Sequence, residues 1–194
     1  MIPYFGSLLN TITDSLESLD EKSFLTLVEE CVAVLKKNGK IVVSGLGKNV
    51  PICDKFVGTC VSLGLNANFL HTNSAVHGDI GIVKKDDLVI ILTKSGETAE
   101  SIYLYQHLKK KQANVWLLTF EKESTLARLI EKKIVIQMDH EGDMWNIMPN
   151  NSTTLNLIVL QALAMCIARE MGITLEEFRE NHPGGHIGEV LNEE

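Results

Sequence analysis

Apolar residues recur at helical spacing from the start of the chain. Leu8, Leu9, Ile12, Leu16 and Leu19 share one stripe, and after Asp20 a second stripe carries Phe24, Leu27, Val28, Cys31 and Val34. Asn38-Gly39 stops that helix, and the period then changes. Ile41-Val42-Val43 is a short β-branched run ending at Gly45, followed by a helix bearing Ile52, Phe56, Val57 and Cys60 that stops near Gly64. Next come a strand near Phe69-Leu70, a loop, and the strand Leu88-Val89-Ile90-Ile91-Leu92. A helix from about Ala99 to Lys111 leads to the strand Val115-Trp116-Leu117-Leu118. A short helix, Leu126 to Ile130, precedes the strand Ile134-Val135-Ile136. After Pro149 a long helix carries Leu155, Ile158, Val159, Ala162 and Cys166 to Met171-Gly172. Thr174 with Glu177 forms a capping box for one more short helix.

Strands that are apolar throughout, alternating with helices, predict an α/β fold with a parallel sheet covered on both faces. No repeat, low-complexity tract or linker interrupts the series. Residues 1–194 read as one domain, with helices over 1–38 and the α/β core and C-terminal helices over 39–194. That length buries a core without disulfides or a structural metal.

Composition, at 45% hydrophobic and 22% charged, excludes disorder, collagen-like repeats and a disulfide-framed miniprotein. The net charge of -7 opposes non-specific binding to nucleic acid or anionic lipid, while leaving room for a local basic pocket around a small anion. No apolar run approaches the roughly 20 residues that span a bilayer. Met1 to Asp20 is neither basic nor organised as a signal peptide. Cys31, Cys53, Cys60 and Cys166 form no CxxC pair and sit among apolar residues as small core thiols. The expectation is a soluble, cytoplasmic protein with no nucleic-acid or membrane partner.

In open parallel sheets, ligands bind beyond the carboxyl ends of the strands, so the loops there carry the candidate chemistry. Ser44-Gly45-Leu46-Gly47-Lys48-Asn49 leaves the first strand. Val50 replaces the third glycine of a dinucleotide fingerprint, His71 stands where an acid is needed, and the Walker spacing is absent. What remains is either a tight turn or an anion site of N–H groups, a hydroxyl and a lysine. Thr93-Lys94-Ser95-Gly96-Glu97-Thr98 leaves the third strand, and its hydroxyls and glycine suit one phosphate. Glu97 and Thr98 equally suit first-turn and capping roles.

His77, in the polar loop Ser74-Ala75-Val76-His77-Gly78-Asp79, is either an acid/base or hydroxyl-binding group or a turn cap. Glu141 lies in Asp139-His140-Glu141-Gly142-Asp143, where it is one of several acids. The cluster Pro149-Asn150-Asn151-Ser152-Thr153-Thr154 then opens the long helix, with or without a ligand. His182-Pro183-Gly184-Gly185-His186 holds two histidines on a non-helical insert, and no Cys or carboxylate pattern completes a metal site.

Taken in order, SGLGK, AVHGDIG, TKSGET, Glu141 ahead of the Pro149 cluster, and HPGGHIG resemble the sugar isomerase (SIS) domain, and within it the arabinose-5-phosphate isomerases, from about Gly39 to Leu191. The resemblance implies a flavodoxin-like, three-layer α/β/α sandwich around a five-stranded parallel sheet. It also implies cofactor-free interconversion of arabinose 5-phosphate and ribulose 5-phosphate. By motif, Lys48, His77, Glu97, Glu141 and His182 stand at the family's catalytic or substrate-binding positions. Ser44, Gly45, Thr93, Ser95, Gly96, Thr98 and Ser152 match its ligand loops. A homodimer or homotetramer with sites made between subunits is further implied. Many members append CBS domains, which are not expected within these residues. Other departures are Asn150-Asn151 in a usually Thr-rich cluster, Lys94 where a small polar residue is usual, and His186 after HPGG.

An aldose–ketose isomerase opens the sugar ring, moves a proton between adjacent carbons and stabilises an enediolate. In this reading Glu141 is the carbon base and Lys48 steadies the developing charge. His77 or His182 assists ring opening and oxygen proton transfer, and Glu97 shares acid/base work or orders the site. The phosphate is a handle for orientation. The competing reading is a sugar-phosphate-binding module without catalysis, which has no need to retain a base and an acid.

Overall fold

The computed structural model describes residues 2–192. Helices α1 (Pro3–Glu17) and α2 (Glu21–Lys36) meet at Asp20, whose carboxylate accepts the Lys22 N–H at 3.2 Å and the Ser23 hydroxyl at 2.6 Å. Asn38 closes α2 in the left-handed region, with φ of 60°, as the Asn-Gly stop predicted. There follow β1 (Ile41–Ser44), α3 (Val50–Ser62), β2 (Ala67–Phe69), the single turn α4 (Thr72–Ala75) and β3 (Leu88–Leu92). Then come α5 (Ala99–Lys110), β4 (Asn114–Thr119), α6 (Thr125–Leu129), β5 (Lys133–Val135), α7 (Asn151–Met171), α8 (Leu175–Glu180) and α9 (Gly185–Asn192). Thr174 and Glu177 form the predicted capping box of α8.

The sheet has five strands, ordered β2-β1-β3-β4-β5, and every pairing is parallel. Successive side chains point to opposite faces, which divides the core in two. Ile41, Val43, Leu88, Ile90 and Leu92 pack with α2, α3 and α7. Val42, Val89 and Ile91 pack with α5 and α6 around Leu104, Leu108 and Leu126. Burial on both faces is the physical reason β3 is apolar at every position and β1 is apolar over Ile41–Val43. Burying each such side chain stabilises the fold by about 1.5–3 kcal/mol.

Three features differ from the sequence-based expectation. The turn α4 and the helix α9 fall where a loop and a non-helical insert were read; α4 is too short to show a period, and α9 begins at Gly185 itself. The buried stripe of α7 runs through Leu155, Val159, Leu163 and Ile167, whereas Ala162 is exposed and Ile158 and Cys166 are half-buried. With Ile158, Val159 and Leu160 all apolar, spacing alone did not choose between adjacent stripes. Helix α7, with its 21 residues, is also long and apolar enough in composition to cross a bilayer. Interspersed Asn156 and Gln161 hide this from a search for an unbroken run, and in the fold α7 is a core helix packed on α1, α2 and α3.

Candidate active site

The strand order reverses direction at β1 and β3, so their carboxyl ends open a crevice, and this is where ligands bind in such sheets. Gly45, the first residue past β1, has no room for a side chain: a Cβ would stand 2.8 Å from Asn49 Cβ and 3.1 Å from Cys53 Sγ. The chain therefore turns tightly through Gly47, at φ +58°, and sets Lys48 exposed at the start of α3. Gly96 is likewise obligatory after β3. Its φ is +64°, and a Cβ would collide with Ser124 Oγ and stand 2.6 Å from Ser124 Cβ.

Between these loops and the start of α7 lies a cavity of about 500 Å³. Lys48, Lys94, Ser95, Thr98, Ser152 and Asn156 are among the residues that line it. Helices α3 and α5 begin here with Asn49 and Thr98 at their caps, and neither side chain makes a capping bond. At α5 first-turn N–H groups are thus left for a ligand at the positive end of the helix dipole, whereas in α3 the Val50 N–H already donates to Gly47 O and Pro51 carries none. A larger hollow, about 910 Å³, lies beside β5, where Asp20, Glu121 and Glu131 offset its lysines; it offers no comparable anion site.

Glu141 stands directly behind the cavity wall and is fully buried. Its Oε1 is 2.6 Å from Lys94 Nζ and accepts the Ser152 hydroxyl at 2.7 Å. Its Oε2 accepts the N–H of Asn150 at 3.0 Å and that of Ser152 at 2.9 Å. Glu141 thereby caps α7, whose own cap residue, Asn150, makes no side-chain bond. Burial pushes its pKa up, but Lys94, the two N–H donors and the Ser152 hydroxyl outweigh that and hold it below the ordinary range. The result is a carboxylate kept ionised in a dry setting.

Of the residues singled out from sequence, Lys48, Thr93, Ser95, Thr98 and Ser152 line the cavity, with Glu141 beneath them. Thr93 Oγ1 accepts the Gly96 N–H at 3.2 Å and Ser95 Oγ accepts that of Glu97 at 3.2 Å, which shapes the loop. Ser44 is turned inward, its hydroxyl bonded to that of Thr72 at 3.0 Å. Glu97 does act as a cap, but of a different helix: its Oε1 accepts the Thr125 N–H of α6 at 2.6 Å, which holds its pKa low. His77 is exposed on the loop after α4 and does not line the cavity. His182 shares a hydrogen bond with Ser62 at 2.8 Å, at the far end of α3 and about 18 Å along that helix from its first residue, Val50.

Sequence reasoning did not assign site roles to Asn49, Lys94 or Asn156. Asn156 Nδ2 donates to Asn49 Oδ1 at 2.9 Å, and its own Oδ1 is buried without a partner. The available signal was a lone polar residue between Leu155 and Leu157 on the core helix.

The chain belongs to the SIS domain family, whose pattern matches residues 34–166. It is 34% identical over 178 residues to the arabinose 5-phosphate isomerase KdsD of Pseudomonas aeruginosa, covering 92% of this chain and 55% of that protein. KdsD of Escherichia coli K12 is 33% identical over 178 residues, covering 92% of this chain and 54% of that protein. The chain thus spans about half the length of these relatives. Among solved structures, Escherichia coli CFT073 c3406 in complex with arabinose 5-phosphate is 32% identical with a TM-score of 0.84, covering 93% of this chain and 94% of that one.

Proposed function

We propose that this protein is a sugar-phosphate aldose–ketose isomerase, interconverting arabinose 5-phosphate and ribulose 5-phosphate or a closely related pair through an enediolate, without a cofactor. One observation carries the reading: a hydroxyl-lined anion pocket and an ionised, buried carboxylate share a wall, made by Ser152 and Lys94. Ser95, Gly96 and Thr98 hold the phosphate at the start of α5. Glu141 moves the carbon-bound proton and Lys48 steadies the developing charge. The likeness to KdsD and to the sugar-phosphate complex of c3406 supports a phosphorylated pentose as substrate.

His77, Glu97 and His182 do not line the cavity of their own chain. In this reading the protein self-associates as a homodimer or homotetramer, and histidines of one copy complete the cavity of another. Free and mostly buried cysteines suit a reducing compartment, so the enzyme is taken to be cytoplasmic.

A non-catalytic sugar-phosphate-binding module is favoured by one fact: both oxygens of Glu141 already carry two donors each, as befits a strut under α7. Incubation with a panel of aldose and ketose phosphates in deuterated water separates the two readings. The isomerase converts one pair and places deuterium on the exchanging carbon. A protein that binds a sugar phosphate but exchanges no proton is the module.

A further inference from the structure

Lys94 is the one member of the TKSGET loop whose side chain reaches the buried carboxylate. Its Nζ lies 2.6 Å from Glu141 Oε1, yet the side chain is 42% exposed and lines the cavity. It therefore stands between the candidate base and any ligand there. Lys48 lines the same cavity, but no ion pair joins it to Glu141 among the described residues.

Resting on the isomerase reading, we propose that Lys94 is a second catalytic cation, shared in turn by the Glu141 carboxylate and the enediolate oxygen of the substrate. When the open-chain aldose enters, Lys94 moves its ammonium from Oε1 to the carbonyl oxygen on C1 and uncovers Oε1. The C2–H bond then breaks and its proton goes to Glu141. The C–H electron pair becomes the C1=C2 bond, and the carbonyl π pair moves to O1 as negative charge. Charge leaves the carboxylate as it appears on O1, so one cation beside both atoms always faces one anion. The O2 hydroxyl proton then passes to the adjacent O1 within the cis-enediolate and leaves the charge on O2. The O2 electron pair forms the C2=O bond as the C1=C2 pair takes the proton back from Glu141 at C1, which gives the ketose and restores the original pair.

This arrangement avoids leaving an unpaired charge in a poorly solvated place, which is the large cost of separating a buried ion pair. It also places the stabilising group where charge develops in the transition state, so its effect falls on turnover more than on substrate binding. With Lys94 removed, the Ser152 hydroxyl and the N–H groups of Asn150 and Ser152 remain as donors to Glu141.

The test compares wild type, K94M and K94R by turnover, by C2 deuterium exchange, and by affinity for arabinose 5-phosphate and for its aldonohydroxamate 5-phosphate analogue, a planar anion resembling the enediolate. K94M is expected to lose about 10²-fold in turnover and exchange, in the range of a removed oxyanion donor. Hydroxamate affinity falls in step while sugar-phosphate affinity stays within a few-fold, and K94R recovers part of each loss. Unchanged hydroxamate affinity in K94M overturns the assignment. So does an equal loss for both ligands, which marks Lys94 as a phosphate contact or a structural pair. If K94M does not fold, K94Q carries the same comparison. A wild-type protein that binds sugar phosphates without exchange sinks the isomerase reading and this role with it. An active wild type with a K94M variant of equal turnover sinks the Lys94 role alone.

Discussion

Ser152 holds Glu141 twice, donating its hydroxyl to Oε1 at 2.7 Å and its N–H to Oε2 at 2.9 Å. The first turn of α7, the carboxylate and the cavity wall are thus one mechanical unit. A ligand that rearranges the donors around Oε1 acts at once on the capping of the core helix. Lys94 is the element of this unit free to move, since the other three donors belong to the backbone and side chain of residues fixed at the start of α7.

The proposed phosphate pocket is testable without touching that unit. Thr98 makes no capping bond and Ser95 accepts only the Glu97 N–H at 3.2 Å, so neither hydroxyl holds the helix in place. S95A/T98A should keep its melting temperature within a few degrees, while affinity for the sugar phosphate falls about tenfold or more, the loss of one or two hydrogen bonds to a charged group. Calorimetric titration with the phosphorylated and the unphosphorylated sugar checks this. Affinity for the phosphorylated sugar equal to wild type places the phosphate elsewhere.

Self-association is proposed from residues the cavity leaves out. If His182 of one copy serves the Glu141 of another, E141Q and H182A are each inactive yet complementary. Refolded together in equal amounts, a dimer of random composition should regain about a quarter of wild-type turnover from its mixed pairs. No recovery above the separate variants, in a sample shown by light scattering to have mixed, removes His182 from a shared site.

The sheet and its order of elements were legible because β1, β3 and the middle of β4 are runs of apolar residues buried on both faces, whereas the short edge strands β2 and β5 carry Asn68 and Lys133. The site was legible as a set of loops, since Ser95, Thr98, Lys48 and Ser152 all sit just past strand ends or at helix starts. Partnerships were not legible. Nothing local links Glu97 to Thr125 or Lys94 to Glu141, because these pairs form only when β3 is laid beside β4 and α7 folds back over the sheet. The same holds for His182, whose partner Ser62 lies 120 positions away in sequence.

Acid should reveal the strength with which Glu141 is held. Its pKa in the folded chain lies below the ordinary 4.5. A group depressed on folding contributes stability that is full above its unfolded value and lost as pH falls through its folded value. The stability gap between wild type and E141Q, measured by urea unfolding, should therefore be constant from neutral pH to about the ordinary carboxylate value and narrow below it. Using the difference removes the parallel titration of Glu97, Glu30 and Asp143, which are also held low. A gap that stays flat into strong acid shows that the carboxylate is not held by its charge.

In the proposed reaction, the proton transfer rests on Glu141. E141Q preserves shape, and the amide oxygen continues to accept the N–H groups of Asn150 and Ser152. The amide NH₂ then faces Oε1's former partners. Ser152 can turn its hydroxyl to accept, and Lys94, half-exposed, can withdraw into the cavity. The fold is thus retained while basicity is gone. Turnover should drop about 10²-fold or more, the usual range for a lost acid/base group, with sugar-phosphate affinity within a few-fold of wild type. Solvent deuterium at the exchanging carbon should fall by the same factor, which separates a lost base from slowed product release. If E141Q turns over normally while E97Q abolishes exchange, the base is Glu97 and Glu141 is only the cap of α7.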